Sequence, residues 1–124
     1  MRCIFVEKKK DYNVEGKSLL EDFRNNLGVN SLEYVRLINK YTLGEVKEED
    51  YKKALYTIFS EKIVDNLYEN NFELRENEIA FGVEFLPGQY DQRADSASEC
   101  YQILTSGEKI EVKWTKIIVL KGNL

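Results

Sequence analysis

The densest set of chemistry-bearing side chains in the sequence falls in one stretch, Leu86-Pro87-Gly88-Gln89-Tyr90-Asp91-Gln92-Arg93-Ala94-Asp95-Ser96-Ala97-Ser98-Glu99. Pro87-Gly88 marks a turn, and Pro87 is the only proline in the chain. Asp91 is placed to cap a helix over 92–106, so Gln89, Asp91, Gln92, Arg93 and Asp95 crowd its start. A junction that served only the fold would need one cap and one turn residue. The surplus points to docking, because Arg and Tyr anchor interfaces by combining a large planar surface with directed hydrogen bonds. A bare phosphate is disfavoured there: the helix start attracts anions, but Asp91 and Asp95 repel them. The two carboxylates stand four residues apart, on one side of a helix, where an acid and a base could cooperate. No nucleophile lies near them in sequence. The expected docking set is Pro87, Gly88, Gln89, Tyr90, Asp91, Gln92, Arg93 and Asp95, with no catalytic, cofactor-binding or metal-binding residue.

The rest of the composition narrows the chemistry further. The 124 residues include no histidine, so Ser–His and Cys–His nucleophile pairs and His-ligated metals cannot be built within the chain. Cys3 and Cys100 are too few for a four-thiolate site or a disulfide framework. Each lies in an apolar stretch and reads as a buried core thiol in a reducing compartment. The start of the chain has too short an apolar run for a signal peptide, and no run is long enough to span a membrane. A soluble, cytoplasmic protein is expected. Charge is uneven: residues 1–44 carry net +2, 45–78 net −5 and 79–124 net −1. The acidic middle opposes nucleic-acid binding, and Lys8-Lys9-Lys10 reads as a solvated turn. Gly82 and Gly88 are isolated, so there is no phosphate-cradling loop.

Hydrophobic spacing supplies the elements that must position the docking set. Residues 2–7 read as a strand, and Leu19, Leu20, Phe23 and Leu27 put one apolar stripe on a helix over about 13–27, stopped by Gly28. Residues 31–43 read as a long strand with Val35, Leu37, Tyr41 and Leu43 on one face, interrupted by Asn39. Glu48-Glu49-Asp50 opens a helix over 47–59 whose buried stripe is Tyr51, Ala54, Leu55 and Ile58. Ile63–Tyr68 reads as a short strand and Glu69–Glu78 as an exposed polar connection. Then Ile79, Phe81, Val83 and Phe85 alternate as a strand, Ala94, Ala97, Tyr101 and Leu104 form the buried face of the 92–106 helix, and Gly107 ends it. Ile110, Val112 and Trp114 begin a last strand over 110–121.

The pattern predicts one α+β domain over 1–124, built from strand–helix–strand units at about 1–44 and 79–121 joined by the acidic connection 45–78. Two such units sharing an antiparallel sheet, helices on one face, make a duplicated ferredoxin-like fold of pseudo-dimer form. That architecture by itself assigns no function.

The segment Val83-Glu84-Phe85-Leu86-Pro87-Gly88-Gln89-Tyr90-Asp91-Gln92-Arg93-Ala94-Asp95-Ser96-Ala97 resembles the N-terminal domain of the large, single-chain phosphoribosylformylglycinamidine (FGAM) synthases. Arg2–Lys8, Ser18–Leu27 and Tyr56–Asp65 support the likeness, which covers essentially the whole chain; Lys62-Ile63 departs from it where a proline-containing turn is expected. The resemblance implies a fused pair of the small accessory subunit found in the split form of that enzyme. It implies membership of an enzyme that converts formylglycinamide ribonucleotide, ATP and glutamine to FGAM, ADP, phosphate and glutamate in purine biosynthesis. ATP and magnesium belong to the synthetase domains and the cysteine nucleophile to a glutaminase domain, so this chain would hold no cofactor and would not be catalytic alone. Its partners would be those two domains of the same polypeptide, with no nucleic acid or membrane, and separated from them it would be prone to self-association. A different class of reading is a free-standing regulatory domain of ferredoxin-like fold that binds a small molecule.

Overall fold

The computed structural model describes residues 2–28, 30–86, 88–107 and 109–122. The chain forms β1 (Arg2–Lys8), α1 (Val14–Asn26), β2 (Leu32–Leu43), α2 (Glu48–Ala54), β3 (Asp65–Glu69), β4 (Glu78–Val83), α3 (Gln92–Thr105) and β5 (Val112–Gly122). Asn13 starts α1: its Oδ1 accepts the Gly16 N–H at 3.1 Å, and its Nδ2 donates to the Val35 carbonyl at 3.1 Å. One side chain thus satisfies an orphan helix amide and ties the helix to the sheet. At the other end the Arg24 Nε donates to the Leu32 carbonyl at 2.7 Å, and Gly28 takes the left-handed conformation, φ +70°, that stops the helix. α2 has three acids in its first turn and Lys52 and Lys53 in its last, matched to the helix dipole. It widens into an i→i+5 turn over Leu55–Phe59, and the buried Ser60 hydroxyl closes that turn by donating to the Leu55 carbonyl at 2.7 Å.

All four strand pairings are antiparallel, and the strands are ordered β3-β1-β2-β5-β4. The fold is α+β, made of ferredoxin-like strand–helix–strand units, each closing its two strands side by side: β1 with β2, β4 with β5. The closing strands β2 and β5 pair with each other at the centre, from Leu32↔Gly122 to Leu43↔Val112, so the units meet through their second strands. The acidic connection adds α2 and β3 beside the first unit, and β3 makes one edge of the sheet while β4 makes the other.

Directly paired residues share a face, and the two faces differ. On one, Ile4, Val6, Tyr41 and Leu43 form a core with Tyr51 and Ala54 of α2, Leu55 and Phe59 of the wide turn, and Ala97 and Tyr101 of α3. The α1 helix reaches this same face through an ion pair of Glu15 with Lys116, the strand partner of Asn39. Among the described residues, no helix packs on the other face. Phe5, Ile38 and Val119 make a smaller core there, with Phe72 lying on Phe5 at a ring separation of 5.0 Å.

Beside that smaller core lies a buried charge network. Arg36, 6% exposed, donates from Nε to Glu7 Oε2 at 2.7 Å and from Nη1 to Glu78 Oε1 at 2.8 Å. The Tyr34 hydroxyl and the Arg75 backbone N–H also donate to Glu78, and the Tyr68 hydroxyl donates to Glu7. Burial alone raises the Glu78 carboxyl. The donors of Tyr34, Arg75 and Arg36 outweigh it and hold the group below its ordinary value. Burial likewise pushes Tyr51 up to about 12, helped by its hydrogen bond to Glu69.

Several expectations are corrected. The connection 69–78 is not simply exposed, because Phe72 and Glu78 cover and complete the helix-free face. The strand expected at 63–68 begins at Asp65, since Glu61–Val64 closes a turn whose amide at Glu61 donates to Asp65 Oδ2 at 2.8 Å. Lys62-Ile63 falls within that turn. Cys100 is exposed and Cys3 half-buried, so neither is a core thiol. Leu104 is 37% exposed, while Ser98 is buried in α3 with its hydroxyl on the Ile110 carbonyl, because the inner side of α3 is formed by Ala94, Ala97, Ser98 and Tyr101. The left-handed residue ending α3 is Ser106, φ +54°, not Gly107. The apolar side of β4 is not buried, because among the described residues no helix packs over that edge.

Replacing Arg36 by Met leaves Glu7 and Glu78 as buried charges without a counterion. Urea denaturation at neutral pH is expected to show a loss of about 3 kcal/mol. Because the Glu78 carboxyl lies below its unfolded value, its contribution is complete above roughly pH 4.3 and disappears as pH falls through its folded value. Glu78→Gln is therefore expected to flatten the acid limb of the stability–pH curve measured by denaturant titration.

Candidate functional site

The segment singled out by its residue types leaves the sheet where β4 ends. Phe85 and Leu86 are exposed, and the chain then turns tightly: the Gln89 N–H donates to the Leu86 carbonyl at 3.0 Å, and the Leu86 N–H donates to Gln89 Oε1 at 2.7 Å. Gly88 sits in this turn at φ +88°, a conformation that a side chain would strain. Pro87 lies outside the described residues. Asp91 caps α3, its Oδ1 accepting the Ala94 N–H at 3.0 Å. Gln92 is exposed. Tyr90, 69% exposed, donates to Asp95 Oδ2 at 2.9 Å, and that carboxylate holds the phenol above its ordinary value.

These contacts settle what the two carboxylates do. Asp91 is spent on the Ala94 amide and Asp95 on Tyr90, so they do not face each other as an acid–base pair. Arg93 does not pair with either. The residue remains exposed, and its guanidinium turns toward the sheet and lies over the Trp114 ring, 5.0 Å from the centroid, with Nη1 3.3 Å from the Tyr41 hydroxyl. The Trp114 indole N–H donates to Asn39 Oδ1 at 3.0 Å, and Phe85 packs beside the indole with ring centroids 5.9 Å apart. The expected set therefore divides in two. Gly88, Gln89, Tyr90, Asp91 and Asp95 build and decorate an outward turn, while Arg93 belongs to an inward cluster with Trp114, Tyr41 and Asn39.

Two features around the turn were not read as functional from the sequence. The first is the surface that leads to it: Ile79, Phe81, Val83, Phe85, Leu86 and Tyr90 are all exposed, on and beyond an edge strand. A run of this kind on one side of a domain marks a contact surface, and a bare strand edge offers unpaired amides and carbonyls as well. The second is a groove of about 590 Å³ on the helix-bearing face, into which Arg93, Asn39, Lys116 and Glu15 all project. Its signal in the sequence was the break that Asn39 makes in an apolar alternation. Lys116 breaks the alternation of β5 at the paired position.

Among the described residues no three His, Cys, Asp or Glu side chains converge as a metal site, and no helix is long and apolar enough to cross a membrane. No family model, no curated protein and no solved structure matches this chain.

Asp91→Ala removes the acceptor for the first free amide of α3. It is expected to lower stability by about 1 kcal/mol, read as a downward shift of the thermal unfolding midpoint. Asp95→Ala, which removes only an exposed hydrogen bond, is expected to leave that midpoint within error.

Proposed function

We propose that this chain is a scaffolding domain of an FGAM synthase of the large single-chain type, acting in cytoplasmic purine biosynthesis. In this reading it docks the synthetase and glutaminase domains of the same polypeptide so that ammonia passes between them. The chemistry gives the reason for such a scaffold. Ammonia released to neutral water becomes mostly ammonium, which has no lone pair for attack, so the two active centres must be held in register. The chain itself contributes no catalytic group, and ATP and magnesium belong to the synthetase domains.

The single observation that carries the reading is where the characteristic stretch Val83–Ala97 falls. It follows directly on the exposed apolar run of edge strand β4, and its Gly88–Tyr90 turn is held outward by its own hydrogen bonds. Leu86, 68% exposed, and Tyr90 offer the apolar area, and the Tyr90–Asp95 pair offers polar direction. The meeting of the two units through β2 and β5 supports a fused pair of accessory subunits, although α2 and β3 accompany only the first.

The test is complementation in vitro. The purified chain is added to the remainder of an FGAM synthase lacking this domain, and FGAM formation is followed with glutamine and with ammonia as nitrogen source. Recovery of the glutamine-dependent rate is expected, with Tyr90→Ala combined with Asp95→Ala reducing it by about tenfold, as for loss of an interface anchor. No recovery, with no complex on gel filtration, defeats the proposal.

A further inference from the structure

The helix-bearing face of the sheet is left open along its centre. Between the start of α1 and the start of α3 lies the 590 Å³ groove, a volume in the range of small-molecule sites. Its floor departs from the apolar pattern of both central strands at one level: Asn39 and Lys116 are direct partners there, whereas Val35, Tyr41 and Leu43 on the same face of β2 are buried. A polar pair in an apolar register is the kind of local conflict that a binding site explains.

Most of the charges that line the groove are paired with one another. Lys116 pairs with Glu15, and Lys8 lies 2.9 Å from Asp65. Two groups are left over. On the β5 side, Arg93 rests on Trp114 with the Tyr41 hydroxyl as its polar neighbour and no acid partner among the described residues. On the β3 side, the Glu61 backbone N–H is used by Asp65, but its carboxylate has no cation partner among the described residues. Asn39 accepts from Trp114 through Oδ1, which leaves its amide N–H groups as donors without a partner among the described residues.

We propose that this groove binds a small zwitterion of the α-amino-acid class. Its carboxylate lies on the Arg93 guanidinium and the Asn39 amide, and its ammonium faces the Glu61 carboxylate. A guanidinium fork suits a planar carboxylate. A nucleotide is a poor match, because its phosphates would meet Glu15, Glu61 and Asp65, and Arg93 is the one lining cation left unpaired among the described residues. This site goes beyond the docking role and does not depend on it.

Trp114 is the only tryptophan and lies in the cluster itself, so its fluorescence reports occupancy. The 124-residue chain is titrated with the proteinogenic L-amino acids one at a time at millimolar concentration, with acetate and inorganic phosphate as singly functional probes and calorimetry as a second readout. A saturable response to at least one amino acid is expected. Its carboxamide and N-acetyl derivatives, and the exposed-residue variants Arg93→Gln and Glu61→Gln, are each expected to weaken binding by about tenfold or more. Circular dichroism verifies that both variants remain folded. No saturable response to any amino acid overturns the proposal. So does equal binding of acetate or phosphate, or unchanged affinity in both variants.

Discussion

One buried guanidinium holds the sheet's geometry. Arg36 sits on β2 and bonds Glu7 on the neighbouring strand β1 and Glu78 at the start of the edge strand β4, beyond β5. Each of these charges is removed from water, and none of them can be left alone without a cost of several kcal/mol. The register of three strands must therefore bring them together, and a one-residue slip of any of them would turn its partner to the other face. Tyr34, Tyr68 and the Arg75 amide complete the network, so the loop before β4 is fixed as well. Where β4 begins decides where it ends, and so where the turn at Gly88 stands.

The two faces of the sheet solve burial differently. The helix-bearing face uses α2, α3 and the wide turn to build the main core around Tyr51 and Tyr101. The opposite face is covered, among the described residues, by Phe72 and its neighbours, and closes over the Arg36 network instead of over a helix. Neither solution reaches β4, whose Ile79, Phe81 and Val83 remain exposed beside β5. The apolar edge and the outward turn are thus a consequence of helix placement, and together they form a continuous apolar approach to the domain.

Arg93 shows how one residue type is compatible with two uses. At the start of a helix beside two acids, an arginine is expected to make a surface ion pair worth little. Here Asp91 is taken by the Ala94 amide and Asp95 by Tyr90, and the aromatic face of Trp114 lies on the inner side. A weakly hydrated planar cation is drawn to that face and keeps most of its donors free. The result is an electropositive point at one wall of a polar groove, opposite the carboxylates of the β3 side.

Much of the architecture was legible along the chain because local spacing is a local property. The stripe Leu19, Leu20, Phe23, Leu27 with Gly28 as its stop predicts α1 nearly to the residue, and the alternations around Tyr41 and Trp114 predict β2 and β5. The cap at Asp91 and the turn at Gly88 were likewise readable, since each follows from one side chain or one φ angle. What periodicity cannot carry is which of two available neighbours a strand or a loop will meet. Phe72 and Glu78 sit in an acid-rich stretch with every local mark of a solvated loop, and only the uncovered second face of the sheet draws them inside. Cys100 has an apolar setting in sequence yet faces out, because the inner side of α3 is taken by Ala97, Ser98 and Tyr101. The chain alone determined most of its elements, the cap at Asp91 and the crowded junction after β4. The tertiary structure decided which faces stay open and where Arg93 turns, because burial and charge pairing are settled between segments far apart in sequence.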